Sequence, residues 1–276
     1  MKRHAKQEIW IAASLALATL ATRIPFRSRY LYNWDSANFA LGLERFNLNE
    51  HQPQPPGYIL YITVGRFFNF FLDNPNNALV LLSIISSVAA VVGIYLLANS
   101  LFDRVTGLIA SALLIFSPLA WFYGEVALSY VVELPLVLAA TWLLYQLLFH
   151  RRHAVAAAIV IGIAAGFRQD VLIFLGPFWL VGSFRVGTRT MLLSWLAMVV
   201  SIAVWLAPLL YLVGGIIKYR ELTSYQFRTG VFLTSIFSSG SDGGIDGFFR
   251  NAKDVWRAML WLMGSASVLF VYIAGL

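Results

Sequence analysis

Long apolar runs alternate with short polar segments along most of the chain. A helix that crosses a bilayer needs roughly 20 predominantly apolar residues. Runs that meet or approach this length predict about eight spans, at residues 8–24, 78–101, 106–123, 129–149, 154–167, 171–184, 190–213 and 257–276. We therefore predict an all-α, polytopic integral membrane protein whose residues 1–276 form one transmembrane domain.

A further apolar run at residues 56–72 is ambiguous, because it is short and contains Arg66 and Asn69. Polar groups inside a membrane are costly, so we predict a helix that lies along the membrane surface. If this run crossed the membrane instead, every later loop would change sides. Residues 35–46 are also predicted to form an amphipathic surface helix.

The short basic loops at residues 102–104, 150–153 and 185–189 fall on the side of the basic N-terminus. Because positive loops remain in the cytoplasm, this side is predicted to be cytoplasmic, and residues 25–77 and 214–256 to be outer loops. Arg23, Arg27 and Arg29 depart from this rule, because they lie at or directly after the end of the first predicted span, on the predicted outer side. The chain ends at Leu276 within an apolar run, as a piece of a longer protein would.

The composition narrows the class further. Only 12% of the 276 residues are charged and the mean hydropathy is +0.74, whereas a soluble protein has about 25% charged residues. There is no cysteine, so disulfide and thiol chemistry are excluded. The net charge of +7 is not gathered into a basic stripe, so we expect a lipid bilayer and no nucleic acid as partner.

Asp35 is the first candidate for chemistry, because it follows the first apolar run by about ten residues and begins a predicted surface helix. Two interpretations are open. An aspartate at this position can cap the helix. A carboxylate facing the membrane surface can also act as a general base, taking a proton from a hydroxyl or an amine as a bond forms.

A proline-rich turn at residues 53–57 follows, and it is flanked by His51, Gln54 and Tyr58. Proline fixes an extended backbone and glycine allows close approach of a ligand. The turn either leads the chain back to the membrane or forms a rigid rim that binds a phosphate or a sugar. The second interpretation makes these three side chains candidate substrate-binding residues.

Three further polar residues border or interrupt the apolar pattern. Glu125 lies between the predicted spans 106–123 and 129–149, Tyr130 lies at the start of the second of these spans, and Glu133 lies within it. Glu125 is either a solvated loop carboxylate or a catalytic residue, and Tyr130 is a candidate substrate-binding residue. An acid inside a span usually faces a cavity or the protein interior.

Arg168, Gln169 and Asp170 separate two short apolar runs. Arg168 and Asp170 either neutralise one another, or the planar guanidinium binds a phosphate. We name Arg168, Gln169 and Arg228 as candidate substrate-binding residues. No zinc motif, phosphate-binding glycine loop or nucleophile elbow is present, so no metal ligands and no cofactor are predicted.

Together these residues resemble the GT-C glycosyltransferases, in particular the protein O-mannosyltransferases and the lipid A aminoarabinose transferases. The resemblance covers about residues 8–185 and rests on Trp34-Asp35-Ser36, His51 with Pro55-Pro56-Gly57-Tyr58, Ser117-Pro118, Tyr123-Gly124-Glu125 with Tyr130, and Gly166-Phe167-Arg168. Many relatives have an Asp-Glu pair where this chain has Asp35-Ser36. Many also have an aspartate near the position of Tyr130, and we expect Glu125 to replace that aspartate in this chain.

The resemblance implies a hexosyl- or pentosyltransferase of the cell envelope, with its active site on the outer face of the cell membrane. The donor would be a polyprenyl-phosphate sugar, and the acceptor a glycan, a lipid or a protein. Asp35 would be the catalytic base of an inverting transfer, and Arg168 or another basic residue of the outer face would meet the donor phosphate. Some GT-C enzymes use a divalent cation, so a cation remains open.

Two rival functions are compatible with the same residues. A transporter or flippase for a lipid-linked or anionic solute would place Glu133, Arg168 and Asp170 at mid-membrane depth. A catalytically inactive scaffold would be favoured if the acidic partner that relatives carry at the position of Ser36 were essential. Asp35, Glu125 and Arg168 around one outward cavity would favour the transferase.

Overall fold

The chain folds as a bundle of α-helices. A computed structural model describes residues 2–228 and 249–257, and within these ranges it contains no β-strand. The named helices are α1 (Lys2–Arg23), α2 (Trp34–Glu44), α3 (Ile59–Leu72), α4 (Pro75–Leu101), α5 (Arg104–Phe116), α6 (Pro118–Tyr123), α7 (Leu134–His150), α8 (Ala154–Phe167), α9 (Asp170–Ser183), α10 (Thr188–Val213) and α11 (Ile216–Gln226). The predicted all-α class is confirmed.

Several helices have the apolar character of membrane segments. Among the described residues, three are long and apolar enough to cross a membrane, at Lys6–Phe26, Pro75–Leu101 and Thr188–Val213. Shorter apolar helices are Ile59–Leu72, Arg104–Phe116, Leu134–His150, Ala154–Phe167 and Asp170–Ser183. The predicted span 257–276 lies outside the described residues, apart from residue 257.

The predicted span 106–123 is wrong in its extent, because the chain breaks between α5 and α6. Pro118 has no backbone N–H to continue α5, and the Ser117 hydroxyl instead accepts a hydrogen bond from the backbone N–H of Ala120 at 3.4 Å. Ser117 thus caps a new short helix, and Pro118 occupies its first turn. The apolar run therefore contains two helices.

The predicted span 129–149 is also wrong at its start, because α7 begins at Leu134. Residues 124–133 form an irregular segment whose apolar side chains are largely buried. The Ser83 hydroxyl of α4 donates to the backbone carbonyl of Val126 at 2.8 Å. A buried loop whose carbonyl groups accept hydrogen bonds can be as apolar as a helix. The apolar run at residues 129–133 was therefore predicted as part of the span.

Helices α1 and α4 run antiparallel. Near the start of α1, Glu8 contacts Asn99 at the end of α4, and Arg23 at the end of α1 contacts Ser87. The intervening residues 24–74 therefore leave and re-enter the bundle at the same end. Helix α3 lies across that end, where Leu60 meets Gly166 at the end of α8. That α3 lies along the membrane surface stays a prediction.

The connections divide the bundle into two ends. We call the end formed by residues 24–74, 117–133, 168–169 and 214–228 the loop-rich end. Among the described residues, the opposite, short-turn end contains only residues 102–103, 151–153 and 184–187 between helices. All of the predicted site residues belong to the loop-rich end.

Small residues let α8 approach α10 closely. A Cβ atom at Gly162 would lie 2.6 Å from the Cβ of Ser201, and one at Gly166 would lie 2.7 Å from the Trp205 ring. The Trp205 indole donates a hydrogen bond to the carbonyl of Gly162 at 2.8 Å. Such small-residue contacts are typical of helices that pack inside membranes, and here they fix the end of α8 that carries Arg168.

Candidate functional site

Helix α2 presents Asp35 in its first turn. Asn33, and not Asp35, caps the helix, because its side-chain oxygen accepts from the backbone N–H and the hydroxyl of Ser36 at 3.0 and 3.1 Å. The capping interpretation of Asp35 is therefore wrong. Within the described part of the chain its carboxylate has no hydrogen bond or ion pair. Burial raises the pKa of Asp35, so it is a stronger base than a solvated aspartate.

The proline-rich turn holds Tyr58 next to α2. Tyr58 has φ 44° and follows Gly57 with φ 112°, a left-handed backbone that is rare for a bulky residue and clusters at functional sites. Its ring packs against Phe39 at 5.2 Å between centroids. Burial raises the pKa of Tyr58 to about 12, while the charge of Arg168 lowers this pKa and that of Asp35 raises it. These three residues are thus in electrostatic reach of one another.

Arg168 is the centre of a charge cluster at the end of α8. Its Nε lies 3.1 Å from the carboxylate of Glu133, and its terminal nitrogen 2.8 Å from that of Asp170. The guanidinium carbon also lies 4.9 Å from the centre of the Tyr130 ring. Burial raises the pKa of Glu133 to about 7, although Arg168 opposes this rise. Arg168 is therefore neutralised within the protein, as one of the two interpretations of the sequence predicted.

Two cavities lie beside this cluster. A small one of about 160 Å³ is lined by Pro56, Tyr58, Arg168, Gln169 and Asp170. A larger one of about 530 Å³ is lined by Pro55, Pro56, Arg220, Thr223, Ser224, Gln226, Phe227 and Arg228. Pro56 belongs to both linings, so the cavities adjoin. The Tyr219 hydroxyl donates to the carbonyl of Pro56 at 3.1 Å and so ties α11 to this boundary.

Glu125 occupies a different environment from Asp35. It is buried, one of its carboxylate oxygens has no hydrogen-bond partner in the described residues, and its charge interacts with that of Arg23. Arg23 is itself fully buried and donates to Ser87 and to the carbonyl of Ile115. Burial raises the pKa of Glu125 to about 7, and the guanidinium opposes the rise. No described contact joins Glu125 to Asp35.

The remaining predicted residues lie around the proline-rich turn. His51 is exposed and has φ 57° at the end of a short 3₁₀ turn. Gln54 is buried, and its carbonyl oxygen has no hydrogen-bond partner in the described residues. Arg228 lines the larger cavity. The structure thus brings Asp35, Tyr58 and Arg168 into one cluster and leaves Glu125 apart.

Sequence reasoning missed the contribution of α11. Arg220, Thr223 and Ser224 line the larger cavity, and their spacing of three and four residues places them on one face of a helix. This spacing was a usable signal in the segment that also contains the predicted residue Arg228. No group of three histidine, aspartate or glutamate side chains that could hold a metal ion occurs in the described part of the chain.

The fold and this polar, arginine-containing cleft define a helical membrane protein with a site at one end. A family model described as dolichyl-phosphate-mannose-protein mannosyltransferase matches residues 54–212, more than half of the chain. The chain therefore belongs to this family and is a membrane glycosyltransferase of the GT-C type, which confirms the resemblance. The comparisons with curated proteins and with solved structures gave no match.

The matched residues include Tyr58, Glu125, Tyr130 and Arg168, but they begin after Asp35. Membership of the family therefore supports a polyprenyl-phosphate sugar as the donor without bearing on the choice of base. The role of Asp35 depends on its geometry in this chain.

Proposed function

We propose that this protein moves one sugar from a polyprenyl-phosphate donor to an acceptor at the loop-rich end of the bundle. The observation that carries this proposal is the unpaired, half-buried carboxylate of Asp35 next to Tyr58 and the Arg168 cluster, all within the described residues. A base that is to accept a proton must be reachable and must not already be bound in an ion pair.

In the proposed reaction, Asp35 removes the proton from an acceptor hydroxyl or amine. The freed electron pair attacks the anomeric carbon, and the bond between that carbon and the phosphate oxygen breaks. The phosphate remains on the polyprenyl carrier, and the anomeric configuration inverts because attack comes from the opposite face. Holding donor and acceptor together supplies much of the rate enhancement.

We place the donor phosphate in the larger cavity, because Arg168 is already paired with two carboxylates. Arg220 and Arg228 line that cavity, and neither has an ion pair within residues 2–228 and 249–257. Free guanidinium groups stabilise the charge that develops on a leaving phosphate. Thr223 and Ser224 add hydroxyl groups to the same lining. In this arrangement, Arg168 holds in place the residues that separate the donor phosphate from Asp35.

His51 and Gln54 belong to the rim of the proposed site, and Tyr130 to its inner wall. His51 is exposed near Glu50, whereas Gln54 is buried in the turn that leads to Tyr58. An exposed imidazole at the rim suits contact with the acceptor. For Glu125 we propose a positioning role, since its backbone carbonyl accepts from the backbone N–H of Ser28 at 2.9 Å, on the segment leading to Asp35.

We further propose that the loop-rich end faces the outside of the cell membrane and that the chain crosses this membrane several times. The loops of the short-turn end are short and basic, with Arg151, Arg152 and Arg185 exposed, whereas Arg27 and Arg29 at the loop-rich end depart from this pattern. Positively charged loops remain on the cytoplasmic side.

Of the three residues expected around one cavity, Glu125 lies apart from Asp35 and Arg168 in the described part of the chain. The transporter alternative requires Glu133 and Arg168 at mid-membrane depth, whereas Glu133 precedes α7 and Arg168 follows the last residue of α8.

The test is an assay of the purified chain in lipid with a panel of polyprenyl-phosphate sugars and mixed acceptors. We expect one donor to be consumed, bare polyprenyl phosphate to be released and the product linkage to be inverted. Product with retained configuration would exclude the single-displacement mechanism. If no donor in the panel were consumed while the protein remained folded, the proposed function would be wrong.

A further inference from the structure

The small cavity at the loop-rich end contains an amide that the proposed reaction does not use. Gln169 lines this cavity of about 160 Å³. Both polar atoms of its side chain are shielded from solvent and have no hydrogen-bond partner among the described residues. Buried amides are almost always paired in folded proteins, so an amide with two unpaired atoms requires an explanation.

A second unpaired group lies in the next residue. One carboxylate oxygen of Asp170 accepts a hydrogen bond from Arg168 at 2.8 Å, and the other is buried without a partner in the described residues. Gln169 and Asp170 thus offer one donor group and two acceptor oxygens from consecutive positions. Tyr58 in the same lining adds a hydroxyl, which stays protonated because its pKa is about 12.

The charges in this lining favour an uncharged ligand. Arg168 and Asp170 offset one another through their ion pair, so the cavity offers hydrogen bonds without a net charge. Glu133, the third member of the cluster, is not part of the lining. Alternating donors and acceptors without net charge suit neighbouring hydroxyl groups, each of which can donate and accept.

The size and position of the cavity agree with a single sugar ring. Its volume of about 160 Å³ is below the ~300–1,000 Å³ of pockets that bind drug-sized ligands, which suits one ring rather than a longer ligand. It adjoins, at Pro56, the larger cavity that contains Arg220 and Arg228. A donor whose phosphate lies in the larger cavity would therefore place its sugar in the smaller one, on the side of Tyr58 and Asp35.

We propose that the small cavity recognises the hydroxyl groups of a neutral donor sugar and that Gln169 determines which sugar is accepted. This inference rests on the proposed function. A site built to bind hydroxyl groups rejects analogues that lack them, because its own polar atoms are then left unpaired. Gln169 is the specificity-determining residue in this arrangement, and Asp170 is its partner.

The test is a binding measurement that does not require turnover. The full chain in detergent is titrated with dolichyl phosphate alone and with dolichyl phosphate carrying mannose, glucose or galactose. We expect the best of the three sugar-bearing lipids to bind at least about tenfold more tightly than the bare lipid. In Gln169→Leu this ratio should fall to within about twofold, while affinity for bare dolichyl phosphate stays unchanged.

Gln7→Leu is the matched control, because Gln7 is exposed near the start of α1 at the opposite end of the bundle. It should retain the wild-type ratio. An unchanged ratio in folded Gln169→Leu, or no preference for any sugar-bearing lipid in the wild type, would overturn the inference. Donor consumption in the transfer assay would then still support the proposed function, whereas absence of all lipid binding would count against both.

Discussion

Asp35 and Glu125 are two carboxylates at the same end of the bundle, and burial raises the pKa of both. They differ in what surrounds them. Asp35 has no partner in the described part of the chain and lies within electrostatic reach of Tyr58, whereas Glu125 lies in the interior beside the buried Arg23. A raised pKa therefore does not identify a base by itself. Access and the absence of a competing cation distinguish the two.

Asp35→Asn should produce the largest effect on activity. The amide has the same shape but cannot accept the proton, so we expect the turnover number to fall by about 10²- to 10⁴-fold. The midpoint of thermal unfolding should change little, because no described contact is lost. Donor consumption by the purified variant measures the first quantity, and a melting curve in detergent measures the second.

Glu44→Gln is the control for Asp35→Asn, since Glu44 is an exposed acid on the same helix. It should retain wild-type turnover. If Asp35→Asn retained it as well, Asp35 would not be the base, and Glu125 would become the carboxylate to examine.

Arg168→Met should have the largest effect on stability. The substitution leaves Glu133 and Asp170 without their cation. Because both ion pairs are partly exposed, we expect a cost below the ~3–5 kcal/mol that is typical of a fully buried pair. We expect a clear fall in the midpoint of thermal unfolding together with a loss of transfer. Arg185→Met, at an exposed position of the short-turn end, should be close to neutral. Equal stability of the two variants would show that the Arg168 cluster does not support the site.

The apolar pattern predicted most of the helices but not their ends. Local signals mattered more at the boundaries, where Ser117-Pro118 divides one predicted span and residues 124–133 form a buried loop. Apolar composition reports burial, and a loop that packs against α4 is buried as fully as a helix. The proline signal at residue 118 was present in the sequence, but its effect on the span was not recognised.

The candidate site could be predicted as a set of residues but not as an arrangement. The Arg168–Asp170 pair is local and was considered from the sequence, whereas the Arg168–Glu133 pair joins residues far apart in the chain. The Asn33 cap is local as well, because Asn33 accepts from Ser36 three residues later and asparagine caps helices as well as aspartate does. The separation of Glu125 from Asp35, in contrast, follows from the packing of α1 against α4, which depends on tertiary structure.

Glu125→Gln tests whether the buried Glu125 is protonated in the folded protein, through the pH dependence of the free energy of unfolding. The pKa of Glu125 rises from its ordinary 4.5 to about 7 on folding. Between these values the folded protein holds a proton that the unfolded chain has released, so rising pH lowers the free energy of unfolding. This contribution is complete below about 4.5 and lost above about 7. Its size is on the order of 3 kcal/mol.

The amide of the Glu125→Gln variant does not titrate, so the stability of wild type relative to this variant should fall as pH rises from 4.5 to 7 and level off above. Glu133 titrates in both proteins and cancels in the difference. Unfolding midpoints measured across this range check the prediction, with Glu44→Gln as an exposed control. A constant difference across the range would mean that Glu125 is ionised in the folded protein and acts as a permanent partner of Arg23.

Tyr219→Phe should give the smallest effect and test the boundary between the two cavities. It removes the hydrogen bond to the carbonyl of Pro56, which is worth about 0.5–1.5 kcal/mol. Because this bond holds α11 and its arginines against the proline-rich turn, we expect the donor KM to rise a few-fold with kcat nearly unchanged. Tyr211→Phe, at an exposed position, should alter neither. A fall in kcat at constant KM would place Tyr219 with the reacting atoms near Asp35 rather than with the donor phosphate.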